Sequence, residues 1–236
     1  MSTQTEAVVA RVRAELGEPD RWAEWPGGWP GDIESALVDA VFSARAVYRT
    51  TNGRGVHQRV TDWRRGRDRS DFTTSALAEE ISAATPIGWA TSFGNSQVAP
   101  GRPADAPEGP TKSAAVLQAA RALSDAGIER ADDITDESAD VAKRCLRGVP
   151  GIGYATTNYF LMLLGRPGVK PDRMVHRFIR RVLDIKVSNS DADALVSAAA
   201  GELGVAPEQL DHAIWKWESD QAAGGDGGSN RAVAGG

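Results

Sequence analysis

A single carboxylate set in a basic stretch is the feature of this sequence best suited to chemistry. Asp172 sits in GVKPDRMVHRF, nineteen residues beyond Gly153. Upstream stands the glycine hairpin Gly148-Val-Pro-Gly151-Ile-Gly153. Glycine accepts positive φ and lets backbone N–H groups approach a ligand closely. The second glycine opens an apolar helix, Tyr154–Leu164, whose N-terminus carries partial positive charge. Together they make an anion site that can hold a phosphate without reading base sequence. PGIG alone fits a plain helix-to-helix turn equally well, and the flanking helices and arginines favour the phosphate grip. Asp172 likewise has a structural role open to it, because Pro-Asp ahead of RMVHRFIRRVL is a good helix N-cap. The two roles are compatible, since a helix start favours the ionised carboxylate that catalysis would need.

Charge supports a polyanionic partner locally rather than globally. The chain carries a net −5, yet Lys143–Lys186 holds ten Lys/Arg against Asp172 and Asp184, a local +8. A basic patch suffices for phosphate contact whatever the total. A second cluster runs from Arg45 to Arg69, with Arg49, Arg54, Arg59, Arg64, Arg65 and Arg67 between them.

The elements that must position these residues read as helices throughout, because apolar residues recur at helical and not at alternating spacing. Helices are predicted over Thr5–Leu16, from an Asp32 cap through Ile33, Leu37, Val38 and Val41, and over Thr74–Ala84 and Lys112–Ala126. Further ones are predicted over Ser138–Leu146, Asp172–Leu183, Ser190–Leu203 and Pro207–Ala222. Gln97–Thr111, with four prolines, is too long for a simple connector, and such loops are usually functional or mobile. The Gly-rich tail 223–236 is expected to be disordered. Of the seven tryptophans, Trp22, Trp25 and Trp29 crowd into WAEWPGGW, which is expected to pack against the last helix, where Trp215 and Trp217 lie.

The lone Cys145 excludes an intramolecular disulfide, a four-cysteine zinc site and an iron–sulfur cluster. His57, His176 and His212 show no ligand spacing. No apolar run is long enough to span a bilayer and the N-terminus has no signal core, so a cytoplasmic protein without a membrane partner is expected.

The hairpin-to-aspartate segment resembles the helix-hairpin-helix/Gly-Pro-Asp superfamily of DNA glycosylases. VPGIGYATTNYFLMLLG is similar to its hairpin and second helix, and GVKPDRMVHRF to its loop and aspartate. Weaker similarity extends to ALVDAVFSARAVYRT and LDHAIWKWES, so that the likeness covers roughly Asp32 to Ser219. The resemblance implies an all-α fold of two lobes with the active cleft between them, lobe A at about 37–187 and lobe B at about 1–36 plus 188–222. It implies a monomer acting on double-stranded DNA, which flips a nucleotide and cuts its N-glycosidic bond with Asp172. Gly151, Ile152, Gly153, Tyr154, Thr156, Lys170 and Arg173 become DNA contacts, and Arg45 the residue that fills the vacated stack. Tyr48, Trp89 and Ala155 are candidates for the base pocket. No cofactor is implied beyond a monovalent cation at the hairpin carbonyls. Members that also cleave the strand carry a lysine two residues after the second hairpin glycine. Ala155 stands there, so a monofunctional enzyme closer to cluster-free, alkyladenine-type relatives is expected, with room for a bulky or modified base. Repair of damaged DNA and excision of modified bases from foreign DNA are both open. A non-catalytic, structure-specific DNA-binding protein is the alternative.

Overall fold

The structure is a computed structural model that describes residues 2–46, 55–67 and 71–225. Those residues form helices in the order α1 (Thr3–Glu15), α2 (Ile33–Ser43), α3 (Val56–Arg65), α4 (Thr74–Ala84), α5 (Pro86–Phe93), α6 (Lys112–Asp125), α7 (Ala139–Arg147), α8 (Tyr154–Leu163), α9 (Arg173–Leu183), α10 (Asn189–Leu203) and α11 (Pro207–Gly225). Short 3-10 turns at Pro19–Arg21 and Ala131–Asp133 and one isolated bridge, Val98 to Thr111, complete the described structure. The fold is all-α. Of the tail expected to be disordered, α11 takes in residues up to Gly225, and 226–236 lie outside the described residues.

The chain forms two compact units, Gly27–Arg166 and, from its two ends, Met1–Pro26 with Pro167–Gly236. These boundaries differ from those expected at 36/37 and 187/188. A cut after Ala36 would divide α2, which is one helix capped by the Asp32 carboxylate on Ser35 N–H at 2.9 Å. α9 groups with the chain ends because Val175, Phe178 and Ile179 share a core with Val8 and Val12 of α1, Val196 of α10 and Leu210 and Ile214 of α11.

Every residue of α2 is buried, and the helix packs on α3, α6 and α8. Its apolar residues, among them the fully buried Ile33, Leu37 and Phe42, each contribute roughly 1.5–3 kcal/mol by leaving water. A buried helix must also settle its charges. Asp32 accepts from Arg64 Nε at 2.6 Å, Glu34 pairs with Arg67 and accepts the Thr73 N–H at 3.0 Å, and Asp39 accepts from Trp29 Nε1 at 2.9 Å and Ser43 Oγ at 2.8 Å. Arg67 is thereby drawn into the interior, while Arg64 pairs with Asp32 from a side chain 44% exposed.

The tryptophan-rich turn divides its work. Trp22 donates to the Leu16 carbonyl at 3.1 Å, and Trp25 meets the His212 ring of α11 edge-on at 5.7 Å, as packing on the last helix required. Trp29 belongs to the other unit, where its backbone N–H reaches the Leu163 carbonyl at the end of α8. Gly28 makes this possible, since a Cβ there would fall 2.2 Å from that carbonyl oxygen.

Candidate functional site

α7 and α8 are joined by the glycine hairpin. Leu146, Val149 and Ile152 turn inward and anchor it, and the Ile152 N–H closes the turn on the Val149 carbonyl at 3.0 Å. Gly151 holds φ +93°, and Gly153 takes the N-cap of α8 without a capping side chain. The first-turn N–H groups of α8 have no acceptor within their own helix, and Gly153, which is exposed, puts nothing over them. Arg147 lies over the Tyr154 ring at 4.5 Å, adding positive charge at the same end. A helix start with an arginine beside it is the kind of arrangement that favours an anion.

The proline-rich loop braces the hairpin. Gln97–Thr111 is closed at its neck by Ala99 N–H on the Pro110 carbonyl at 2.8 Å and Lys112 N–H on the Gln97 carbonyl at 2.9 Å. Inside it, Arg102 is 5% exposed and donates to the carbonyls of Gly109 and Pro107, to Gln118 Oε1 at 3.0 Å and to the Pro150 carbonyl of the hairpin at 3.0 Å. A Cβ on Gly151 would stand 2.9 Å from Ala99 Cβ. Gly151→Ala thus meets both a positive φ and the loop. It is expected to cost about 1–3 kcal/mol in urea unfolding and to loosen the hairpin.

In the terminal unit, Asp172 caps α9. Its Oδ1 accepts from Met174 N–H at 2.7 Å and Val175 N–H at 3.4 Å, and its own N–H turns back on the Lys170 carbonyl at 2.6 Å. The side chain is half-buried, and Oδ2 carries no hydrogen bond among the described residues. Behind it lies Asp211 of α11, 5% exposed, whose Oδ1 accepts the Lys170 N–H at 3.2 Å. Burial pushes the Asp211 carboxyl well above the ordinary carboxylate range. The charge of Asp172 adds to this, and Lys170 opposes it.

α9 also carries a groove of about 520 Å³, lined by Arg173, His176, Arg177, Arg180, Lys186 and the apolar Ile185 and Val187. The buried Glu218 of α11 holds Arg177 at 3.5 Å and Arg181 at 3.4 Å. Arg173, Arg180 and Lys186 have no carboxylate within ion-pair distance among the described residues. A positive surface with an apolar floor results.

The site residues expected from sequence divide by exposure. Gly153, Arg173 and Arg45 are exposed, and Gly151, Tyr154, Ala155 and Asp172 are half-buried. Arg45 lies two residues past α2 with φ +51°, a conformation uncommon for a side chain of its size. Ile152 and Thr156 have buried side chains, so their part is to fix the hairpin from within. Lys170 is 9% exposed and lies beside Asp211, which removes it as a surface phosphate contact. Trp89 is 4% exposed, stacked on Phe93 at 5.0 Å and bonded through Nε1 to Glu80 at 2.8 Å, so it is a core ring and not an open base platform. Tyr48 lies outside the described residues. Of the hairpin carbonyls, those of Val149, Pro150 and Gly153 accept hydrogen bonds from the protein. No group of three or more His, Cys, Asp or Glu suited to a metal occurs among the described residues, and no helix among them is long and apolar enough to cross a membrane.

Asp211, Arg102 and Glu218 are the polar residues that sequence reasoning missed. Asp211 and Glu218 left one signal: with Leu210 and Ile214 they fall on the core-facing stripe of α11, where a charge needs a buried partner.

The chain belongs to a family defined by a domain of unknown function, DUF8548, whose model matches residues 6–219. No curated protein and no solved structure matches it.

Proposed function

We propose that this protein is a monofunctional DNA glycosylase of the helix-hairpin-helix/Gly-Pro-Asp type. The observation that carries the reading is the state of Asp172: one carboxylate oxygen fixed by the α9 cap, the other open, in a half-buried setting. The hairpin at Gly151–Tyr154 and the cationic groove on α9 support it as two phosphate-binding surfaces. Flipping a nucleotide costs a few kcal/mol, offset by backbone contacts and by a side chain entering the stack, a role this reading gives to the exposed Arg45. As the N-glycosidic bond breaks, its electron pair leaves with the base and positive charge grows at C1′. Asp172 Oδ2 stabilises that charge and orients the water whose oxygen bonds to C1′, taking its proton and leaving an abasic sugar. Strand cleavage would need an amine to form a Schiff base. Ala155 supplies none, and the Lys170 amine is buried beside Asp211.

The test compares wild type with Asp172→Asn on duplexes carrying uracil, alkylated purines, oxidised bases or hypermodified cytosines, scored for abasic sites. Asparagine caps a helix about as well as aspartate. The variant should therefore melt close to wild type and release base at least 10²–10³-fold more slowly, the scale of losing one electrostatic stabiliser. Equal rates in the two proteins would refute the assignment, as would strand cleavage trapped by borohydride for the monofunctional part. DNA binding without release from any duplex would favour the non-catalytic binding protein.

A further inference from the structure

The Asp172 turn is held from behind. Between Val169 and Arg173 the chain makes a three-residue turn over Pro171, closed by the Asp172 N–H on the Lys170 carbonyl at 2.6 Å. Proline has no N–H to give, so the segment has one backbone donor just before the turn, that of Lys170, and it goes to Asp211 Oδ1 at 3.2 Å. The α9 cap fixes Asp172 from the front, through Met174 and Val175. Asp211 therefore completes a support in which both flanks of the turn are tied to helices of the terminal unit, α9 and α11.

We infer that Asp211 is a positioning residue for Asp172: its buried carboxyl anchors the Lys170–Asp172 turn to α11 and sets the direction of the open Oδ2. Its burial is otherwise hard to account for, since a carboxyl at 5% exposure costs several kcal/mol unless it is bonded. The inference deepens the glycosylase reading and rests on it for its catalytic meaning, while the geometric support stands apart from any reaction.

The groups facing Asp211 are Asp172 and Lys170 on the turn and Asp193 of α10. Lys170 lowers its proton affinity, while Asp172 and Asp193 raise it. This gives a measurement independent of substrate. In the intact chain, carbon NMR should find the Asp211 carboxyl titrating above the ordinary carboxylate range, and Asp172→Asn should bring that titration down by removing one of the charges that raise it.

The second measurement uses whichever duplex of the set above the wild type releases a base from. Asp211→Ala removes the acceptor, and a displacement of about 1 Å at the reacting group is worth about 10²-fold in rate. We expect kcat to fall by that order with little change in KM, and Asp211→Asn, which keeps an oxygen for the Lys170 N–H, to recover most of it. An Asp211 titration unmoved by Asp172→Asn would overturn the inference, as would an Asp211→Ala enzyme of wild-type kcat. Equal loss in the Asn and Ala variants would also overturn it, because the acceptor would then not be what matters. Should the alanine variant not fold, the titration and the asparagine variant still decide. If wild type releases no base from any duplex, the glycosylase reading fails, and the titration alone judges the support of the turn.

Discussion

Arg102→Met should lower the stability of the protein by about 2–3 kcal/mol, the scale of hydrogen bonds to a charged group once water replaces part of them. The arginine gives its guanidinium to three backbone carbonyls and a glutamine oxygen, from a position 5% exposed to solvent. Methionine fills similar space and donates nothing; the Pro107 carbonyl keeps the Gln118 amide at 3.4 Å, and the others must turn to water at the loop surface. Burial pulls the guanidinium below its ordinary pKa, and the charge of Glu108 opposes the shift. Lysine would not substitute, since a single ammonium cannot spread over carbonyls that the planar fork reaches together. The carbonyl of Pro150 is one of the acceptors, so the loss should extend beyond the loop to the hairpin. Urea unfolding checks the magnitude, and hydrogen exchange checks the place: protection should fall over both 97–111 and 148–153. A midpoint within the error of wild type, or exchange confined to the loop, would show that Arg102 does not brace the hairpin.

The helices that could be read from sequence are those whose own faces carry the signal. Thr74–Ala84 has the bounds expected, with Thr73 accepting the Ala76 N–H as its cap. α3 and α5 went unread for opposite reasons. In α3 only Val60 is buried, and the helix is held by the pair that Arg64 makes with Asp32 and, just past its end, by that of Arg67 with Glu34, both acids of a different helix. α5 spans eight residues, begins at Pro86 after a Thr85 held at φ +58°, and contains Gly88, so it offers neither length nor period.

The site divides the same way. Asp172 could be found because a cap is a local device, written in the residues that follow it. Lys170 was misread because burial of a charge depends on a partner far along the chain, here Asp211, forty-one residues away. Trp89 leaves two readings open in the sequence, base stacking or core packing, and the core one holds because Phe93 and Glu80 claim both its face and its edge. The loop at Gln97–Thr111 reads as functional or mobile, because prolines and glycines say nothing of the arginine that ties them together.

Removing the two groove cations Arg180 and Lys186 should weaken binding to an undamaged duplex by about 30-fold at low salt, taking about 1 kcal/mol for each charge contact at 4 Å in water. The helix itself argues for phosphates as the occupant. Arg173 and Arg180 stand two turns apart, about 10.5 Å at 1.5 Å per residue, a distance over which one DNA strand presents about three phosphates. Three lining cations, Arg173, Arg180 and Lys186, lack a carboxylate partner among the described residues, whereas Arg177 is drawn to Glu218. A groove evolved only for solubility has no need to keep those cations on one side while burying an acid to hold their neighbour. The quantity that separates specific phosphate contact from general attraction is the salt dependence. Each released counterion contributes about 0.9 to the slope of log affinity against log salt, so the Arg180→Gln/Lys186→Gln protein should lose about 1.8 from that slope. Its Asp172 cap and hairpin are untouched, and its melting temperature should match wild type because both cations are surface groups without ion pairs. An unchanged slope would mean that DNA passes elsewhere, and the hairpin would then have to supply the affinity alone.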